Sequence, residues 1–289
     1  MGLRWKAPTI ALTRLLLAFA VAGFSLDVSA ASPSDPAHVV VLRLEQSVQP
    51  ASLQYLTRGI ERATREGAAL IVLELDTPGG LLESLRKMTQ LITKAGPPVA
   101  VFVTPSGARA ASAGFFLLLA GDVAAMAPGT RAGAAHPVAL GRSAPGAAPM
   151  LDKVTSDTAA LARSLAAQRG LSVMRAELAV RTSASYTERE ALEGGLVDVI
   201  ASDRSDLLAQ LDGLPIKRFS GEWQTIELAS PRVEVLAPSL GERLLFAIAD
   251  PEIAYVLMMV GLLAVFVELL HPGAIVPGAL GVLSLLLAF

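Results

Sequence analysis

Ser112 sits in the stretch ARAASAGFFLLLAG, residues 108 to 121, among small residues and directly before a solid apolar run. A serine hydroxyl becomes a nucleophile only when a base takes its proton, the chain holds it exposed, and donors await the oxyanion that develops on the attacked carbonyl. Residue types for all three needs are present. A helix starting at Ser112 would point backbone N–H groups at an incoming carbonyl. Gly79 and Gly80, in DTPGG, follow an apolar run, and the lack of a side chain lets another backbone come close. Lys153 and His136 lie 41 and 24 residues after Ser112. Each feature also has a plainer use: a serine N-cap or close helix packing for AASAG, an ordinary turn for TPGG, a solvated first-turn lysine for Lys153.

The elements that must position these residues read as an α/β domain over residues 38–230. It begins with a strand HVVVLRLEQSV, a helix PASLQYLTRGIERATREG, a strand AALIVLELD, the turn TPGG, a helix LLESLRKMTQLITKAG and a strand PVAVFVT. Continuous Val/Ile/Leu strands alternating with amphipathic helices imply a largely parallel sheet covered by helices. Beyond it come a helix from Ser112 to Gly121, a strand near Val123 to Ala127, and a loop of about twenty residues, Arg131 to Met150, rich in Ala, Gly and Pro. That loop lies between the serine and the lysine and reads as a mobile rim. Helices over Asp152 to Arg169 and Ser172 to Arg181 follow. Thr187 and Glu190 then form a capping box ahead of REALEGG, before the strand LVDVIAS. Ile216 to Leu228 suggests a short strand pair with Trp223 as a packing residue. Residues 231–252 read as a linker with an amphipathic lead-in to the membrane.

Composition agrees that part of the chain faces lipid. Of 289 residues 53% are hydrophobic and 17% charged, with a mean hydropathy of +0.53, too apolar for an ordinary soluble domain. Arg4, Lys6 and Arg14 precede or flank LLLAFAVAGF, and VSA at Val28 to Ala30 offers a cleavage site, so residues 1–30 are expected to be a signal peptide and 31–37 a linker. An uncleaved anchor is the alternative, and either exports the domain. At the other end IAYVLMMVGLLAVFVELL, residues 253–270, is long enough to span a bilayer, and residues 275–289 read as a second span cut short by the end of the chain. Glu268 and His271 stand at the end of the first span beside a Pro/Gly turn. A polar residue there raises a functional question, and an interfacial turn is the blander answer.

Other chemistries are poorly served. A net charge of −2 and no basic patch argue against nucleic acid, and the absence of cysteine removes disulfides, thiolate metal sites and a cysteine nucleophile. The histidines His38, His136 and His271 lack metal-ligand spacing, His38 has no evident partner, and neither a phosphate-binding loop nor a GxSxG elbow is present. No metal or cofactor is expected.

Taken in order, LELDTPGG, then GARAASAGFFLLLAGDVAAMAPGTRAGAAHP, then SYTEREALEGGLVDVIAS resemble the NfeD-type membrane-bound serine proteases of the Clp-protease and crotonase-like superfamily. The resemblance covers residues 38–230 and implies a superhelix of ββα units. It implies Ser112 as nucleophile, the N–H groups of Gly80 and Ala113 as oxyanion donors, and a lysine base about forty residues after the serine at the start of a helix, which Lys153 matches. A lysine serves as base only when desolvation or a nearby cation brings it far below its ordinary pKa of about 10.4. In the soluble Clp peptidases a histidine stands near the position of His136, which keeps that residue as the rival base or a cleft residue. Its direct contact with Pro137 in sequence departs from the Clp spacing, and no aspartate stands out to orient it. The resemblance further implies cleavage of hydrophobic segments of stomatin- or flotillin-like membrane partners, and at least a dimer. A non-proteolytic membrane scaffold with the same fold is the second reading.

Overall fold

The computed structural model describes residues 36–138, 147–249, 251–271 and 275–288. The expected signal peptide, the middle of the long Ala/Gly/Pro loop and the turn after His271 lie outside these residues.

The first half of the chain lays down parallel strands, each returned by a helix. In order come β1 (His38–Leu44), α1 (Pro50–Arg65), β2 (Leu70–Leu75), α2 (Leu82–Thr93) and β3 (Val99–Val103). The pattern then gains a member: β3 is followed by the short β4 (Arg109–Ala111) and then α3 (Ala113–Ala120). Likewise β5 (Val123–Met126) is followed by β6 (Arg131–Gly133) and α4 (Ala147–Arg169). Next are α5 (Val173–Arg181), β7 (Ser185–Thr187), α6 (Glu188–Glu193), β8 (Val199–Ile200) and α7 (Arg204–Leu211). The hairpin strands β9 (Pro215–Lys217) and β10 (Trp223–Thr225), then β11 (Arg232–Leu236), complete the strands. One six-stranded, all-parallel sheet has the order β11-β1-β2-β3-β5-β8, and a small second sheet has the order β4-β6-β7. The strand-strand-helix units feed alternately into the two sheets, as the expected ββα superhelix requires.

The continuous apolar strands are explained by burial on both faces. Val40 and Leu42 of β1 join Ile71, Leu73, Val101 and the helices α1 to α5 in one core, while Val39 and Val41 join Leu70, Val72, Phe102, Leu207 and Leu211 in the other. Helix α3 is buried along its whole length, so its lack of an amphipathic pattern marks a helix threaded through the core.

Several expectations need correction. The segment read as a linker supplies β11, which pairs in parallel with β1 from His38↔Arg232 to Leu42↔Leu236. It is an edge strand that leaves Val233 and Val235 exposed and alternates them with charges, so no apolar run announced it. His38, thought partnerless, bonds Glu234 of that strand through Nε2 at 3.3 Å. Trp223 is 71% exposed on the β9–β10 hairpin, and the packing residues of that region are Ile216, Ile226 and Leu228. The strand expected over LVDVIAS is only Val199–Ile200, because the Leu196 and Val197 N–H groups turn back to Ala191 O of α6, at 2.7 and 3.3 Å, and not to the neighbouring strand. Helix α4 begins at Ala147, five residues before the expected start, and β6 occupies the beginning of the long loop.

After β11 the chain forms α8 (Leu240–Ile248), α9 (Pro251–Leu270) and α10 (Ile275–Ala288). Residues Glu252–Leu270 have a mean hydropathy of 2.5 and only 6% of the segment is buried, which suits a helix surrounded by lipid. Glu268 Oε2 accepts the Gly278 N–H at 3.3 Å. This carboxylate therefore satisfies the first turn of α10, where free amides and the helix dipole favour a negative charge.

Candidate active site

The loop after β2 is built around Thr77. Its side chain is fully buried, its Oγ1 donates to Gln46 O at 2.7 Å and accepts the Gly79 N–H at 3.2 Å. The Val48 N–H donates to Gly79 O at 2.7 Å and the Leu81 N–H to Val48 O at 2.8 Å, so the glycines run as a strand-like bridge beside Val48. Both glycines are sterically required. A Cβ on Gly80 would lie 2.0 Å from Val48 O, and one on Gly79, whose φ is 120°, would lie 2.6 Å from Ser112 Cβ and 2.9 Å from its Oγ.

Ser112 is clamped from two sides. The preceding Ala111 N–H donates to Thr77 O at 3.1 Å, and the Ser112 N–H donates to Gly133 O at 2.9 Å. Its φ of 53° and ψ of −116° lie where a side chain is strained, a conformation that persists only when neighbours impose it. The serine occupies the N-cap position of α3 and yet does not cap it. Ser172, Thr187, Asp203 and Ser239 all accept an amide from their helices, whereas the Ser112 hydroxyl has no hydrogen-bond partner among the described residues. The N-cap and small-residue readings of AASAG thus leave the hydroxyl unexplained.

Ser112, Gly80 and Ala113 line one cleft of about 480 Å³, walled by Leu81, Leu82, Leu85, Phe116, Val138 and Val154. Among the described residues neither the Gly80 N–H nor the Ala113 N–H has an acceptor. The cleft lies beyond the carboxyl end of β2, where parallel sheets place their ligands. A larger groove of about 670 Å³ between α1 and α2 contains none of these residues.

The two candidate bases stand differently. Lys153 is exposed on the first turns of α4, next to the cleft-lining Val154 but not itself part of the lining. One turn further on, Asp157 is bound by Arg86 of α2, which ties α4 to the helix that forms the opposite wall. His136 is partly buried between Ala135 and Pro137, both of which line the cleft, and its Nδ1 donates to Val180 O at 3.0 Å. A carbonyl only accepts, so in the neutral ring Nε2 carries no hydrogen. Neither base is hydrogen-bonded to Ser112 among the described residues. Sequence reasoning missed Thr77 and the Gly133 carbonyl as the groups that fix the site. A buried threonine beside a double glycine was the available signal for the first, and a backbone acceptor leaves none.

A second titratable cluster lies at the opposite, amino end of β1. His38, Glu66 and Glu234 bring their ligand atoms within 4.8 Å of one another. Arg62 donates to Glu66 at 2.8 Å and to Glu234 at 2.7 Å, and that bond holds the Glu66 carboxyl below the usual carboxylate range. Both carboxylates already have a fixed cation, so the cluster reads as an ion-pair network fastening β11 to α1.

Residues 38–212 match the family model of the NfeD1b N-terminal domain, and residues 252–289 that of the NfeD integral membrane domain. The chain belongs to the NfeD family. This NfeD chain is a membrane protein, with α9 inside the matched membrane domain. It is 35% identical over 254 residues to the membrane-bound protease PH1510 of Pyrococcus horikoshii, covering 86% of this chain and 57% of that one. It is 28% identical over 259 residues to the membrane protein NfeD1b of Bacillus subtilis, covering 87% and 55%. The chain thus spans little more than half the length of these relatives. Its fold matches a lysine-to-alanine mutant of the 1510-N membrane-bound stomatin-specific protease in complex with a substrate peptide, with a TM-score of 0.67 and 33% identity, over 73% of this chain and 97% of that one. It also matches the serine-to-alanine mutant of that protease, with a TM-score of 0.65 and 32% identity, over 71% and 99%. The two mutated positions are 41 residues apart in that protease, the separation of Ser112 and Lys153 here.

Proposed function

We propose that this NfeD chain is a membrane-tethered serine endopeptidase with a Ser112–Lys153 dyad. The observation that carries the reading is the Ser112 hydroxyl, held in a strained conformation in an apolar cleft that it shares with the Gly80 and Ala113 N–H groups, none of the three having a hydrogen-bond partner among the described residues. The neutral amine of Lys153 takes the hydroxyl proton as Ser112 Oγ attacks the peptide carbonyl carbon. The oxyanion is received by the N–H groups of Gly80 and Ala113, preorganised donors of the kind that stabilise such charge most effectively. The lysine ammonium then gives its proton to the leaving amine and the acyl-enzyme remains. Water, deprotonated by the same lysine, attacks the ester carbonyl, and as the bond to Ser112 Oγ breaks the lysine returns that proton to Oγ, releasing the acid and the free serine.

For this chemistry the first turns of α4 must bring Lys153 over the cleft, and an apolar peptide filling the cleft would exclude water from it. The leucine, phenylalanine and valine walls favour hydrophobic segments. Together with the stomatin-specific structural relative, they support membrane-associated, stomatin- or flotillin-like proteins as the substrate class. Export of the domain and assembly into at least a dimer complete the reading. The exposed position of Lys153 favours the scaffold alternative.

Cleavage of a hydrophobic-peptide library by the full chain, beside Ser112→Ala, Lys153→Ala and His136→Ala, separates these. Activity lost in the first two variants and only modestly lowered in the third supports the dyad. Activity surviving Lys153→Ala returns the base to His136, and an inactive, folded wild type in bilayers sinks the protease reading.

A further inference from the structure

Helix α8 falls between the two regions that match NfeD models, and its two faces are very different. The inward face is fastened to the sheet domain. Glu242 is 3% exposed and accepts two hydrogen bonds from Arg58 of α1, at 2.9 and 2.7 Å. It also closes a capping box with Ser239. Phe246 meets the Tyr55 ring edge-on at 6.3 Å, and the buried Tyr55 hydroxyl donates to Leu236 O at 2.7 Å. Glu242 and Phe246 are one turn apart, so the residues on the far side of the helix are Leu240, Leu244, Ala247 and Ile248. Leu240 is 84% and Leu244 62% exposed.

An apolar helix face left bare on a soluble surface is costly, and only Ala249 and Asp250 separate α8 from α9. A helix joined by two residues to the start of a membrane span cannot stand far from the bilayer. The apolar stripe and the two-residue connection, with Glu242 and Phe246 turned to the sheet domain, describe a helix lying in the interface plane.

We propose that α8 is an interfacial helix, with Leu240, Leu244, Ala247 and Ile248 seated in the headgroup layer of the bilayer, and that Arg58–Glu242 and Tyr55–Phe246 lock the sheet domain to it. The consequence is positional. β11 runs parallel to β1, so α8 leaves the sheet at its carboxyl edge, the same edge from which the Thr77–Gly80 loop enters the cleft. The lock therefore holds the cleft close to the membrane surface at a fixed height instead of letting the domain swing on a tether. This inference concerns lipid contact and stands whether or not Ser112 is catalytic.

The chain has no cysteine, so single nitroxide labels can be placed without background. The full chain in phosphatidylcholine vesicles would be labelled at Leu240→Cys and Leu244→Cys, with Trp223→Cys as water reference and Leu262→Cys in α9 as lipid reference. The ratio of oxygen to nickel-chelate collision rates at 240 and 244 is expected to be several-fold above that at 223 and below that at 262. A ratio equal to that at 223 would overturn the proposal. So would spin–spin broadening at 244 that disappears on dilution with unlabelled chain, because a second copy would then cover the face. For the lock, a Leu244→Cys, Glu61→Cys pair should give one narrow distance distribution that broadens several-fold with Arg58→Ala. A distribution already broad without that substitution would remove the fixed height.

Discussion

Gly79 and Ser112 are packed so closely that one added methyl on the glycine would fall 2.9 Å from the serine Oγ. The contact joins two segments that are distant in sequence, and it makes the glycine part of the nucleophile's mounting. Gly79→Ala must move the hydroxyl and also adopt a φ of 120°, a strain of about 1–3 kcal/mol. A fall in kcat of about 100-fold is expected from misplacement of the reacting atom, with a modest drop in Tm. Steady-state kinetics beside a melting curve check it, and unchanged kcat would detach the glycine from the chemistry.

Ser112→Ala should be silent in stability while abolishing turnover. The hydroxyl has no partner among the described residues, so nothing buried is left unsatisfied when it goes. Thermal unfolding within about 0.5 kcal/mol of wild type is expected, with peptide cleavage reduced by at least about 1000-fold. A clearly destabilised variant would show that the serine is a structural cap after all.

Thr77 should behave in the opposite way. Thr77→Val keeps the shape but leaves the part-buried Gln46 carbonyl and the buried Gly79 N–H without the hydroxyl they share. A loss of about 1–3 kcal/mol is expected, together with a lower kcat through the displaced glycine loop. Thr77→Ser restores the hydroxyl and should recover most of the activity. If valine and serine variants are equally active, the hydrogen bonds do not position the loop.

The Arg58–Glu242 fastening gives α8 a pH dependence of known sign. The Arg58 hydrogen bond holds the Glu242 carboxyl below its ordinary value in the folded chain. Its stabilisation is therefore fully present above the unfolded value of about 4.3 and is lost as the pH falls through the lower, folded value. Wild type should exceed Glu242→Gln by about 1–3 kcal/mol at pH 6, and the difference should shrink steadily below about pH 4. Paired melting curves from pH 6 to 3 check this, and a constant difference would refute it.

How much of this was legible in the sequence follows from the range of each interaction. Strands from β1 to β3, helices α1 and α2, the Thr187–Glu190 capping box and the long apolar helix α9 were readable because burial on one face or all faces writes a period into neighbouring residues. TPGG and AASAG were visible as unusual small-residue stretches, and their order carried the family. Where the tertiary structure decided, the cause lay in partners far along the chain. β11 is an exposed edge strand whose place depends on hydrogen bonds to β1, nearly two hundred residues earlier in the chain. His38 acquires its carboxylates only through that pairing. Trp223 looked like a core residue by type, but its hairpin extends beyond the core. The sequence by itself determined which residues could do chemistry and which elements could form. Only the tertiary structure could show that Ser112 is an N-cap residue whose hydroxyl does not cap its helix, because the backbone of Ala111 and Ser112 is held by the carbonyls of Thr77 and Gly133, which lie in other parts of the chain.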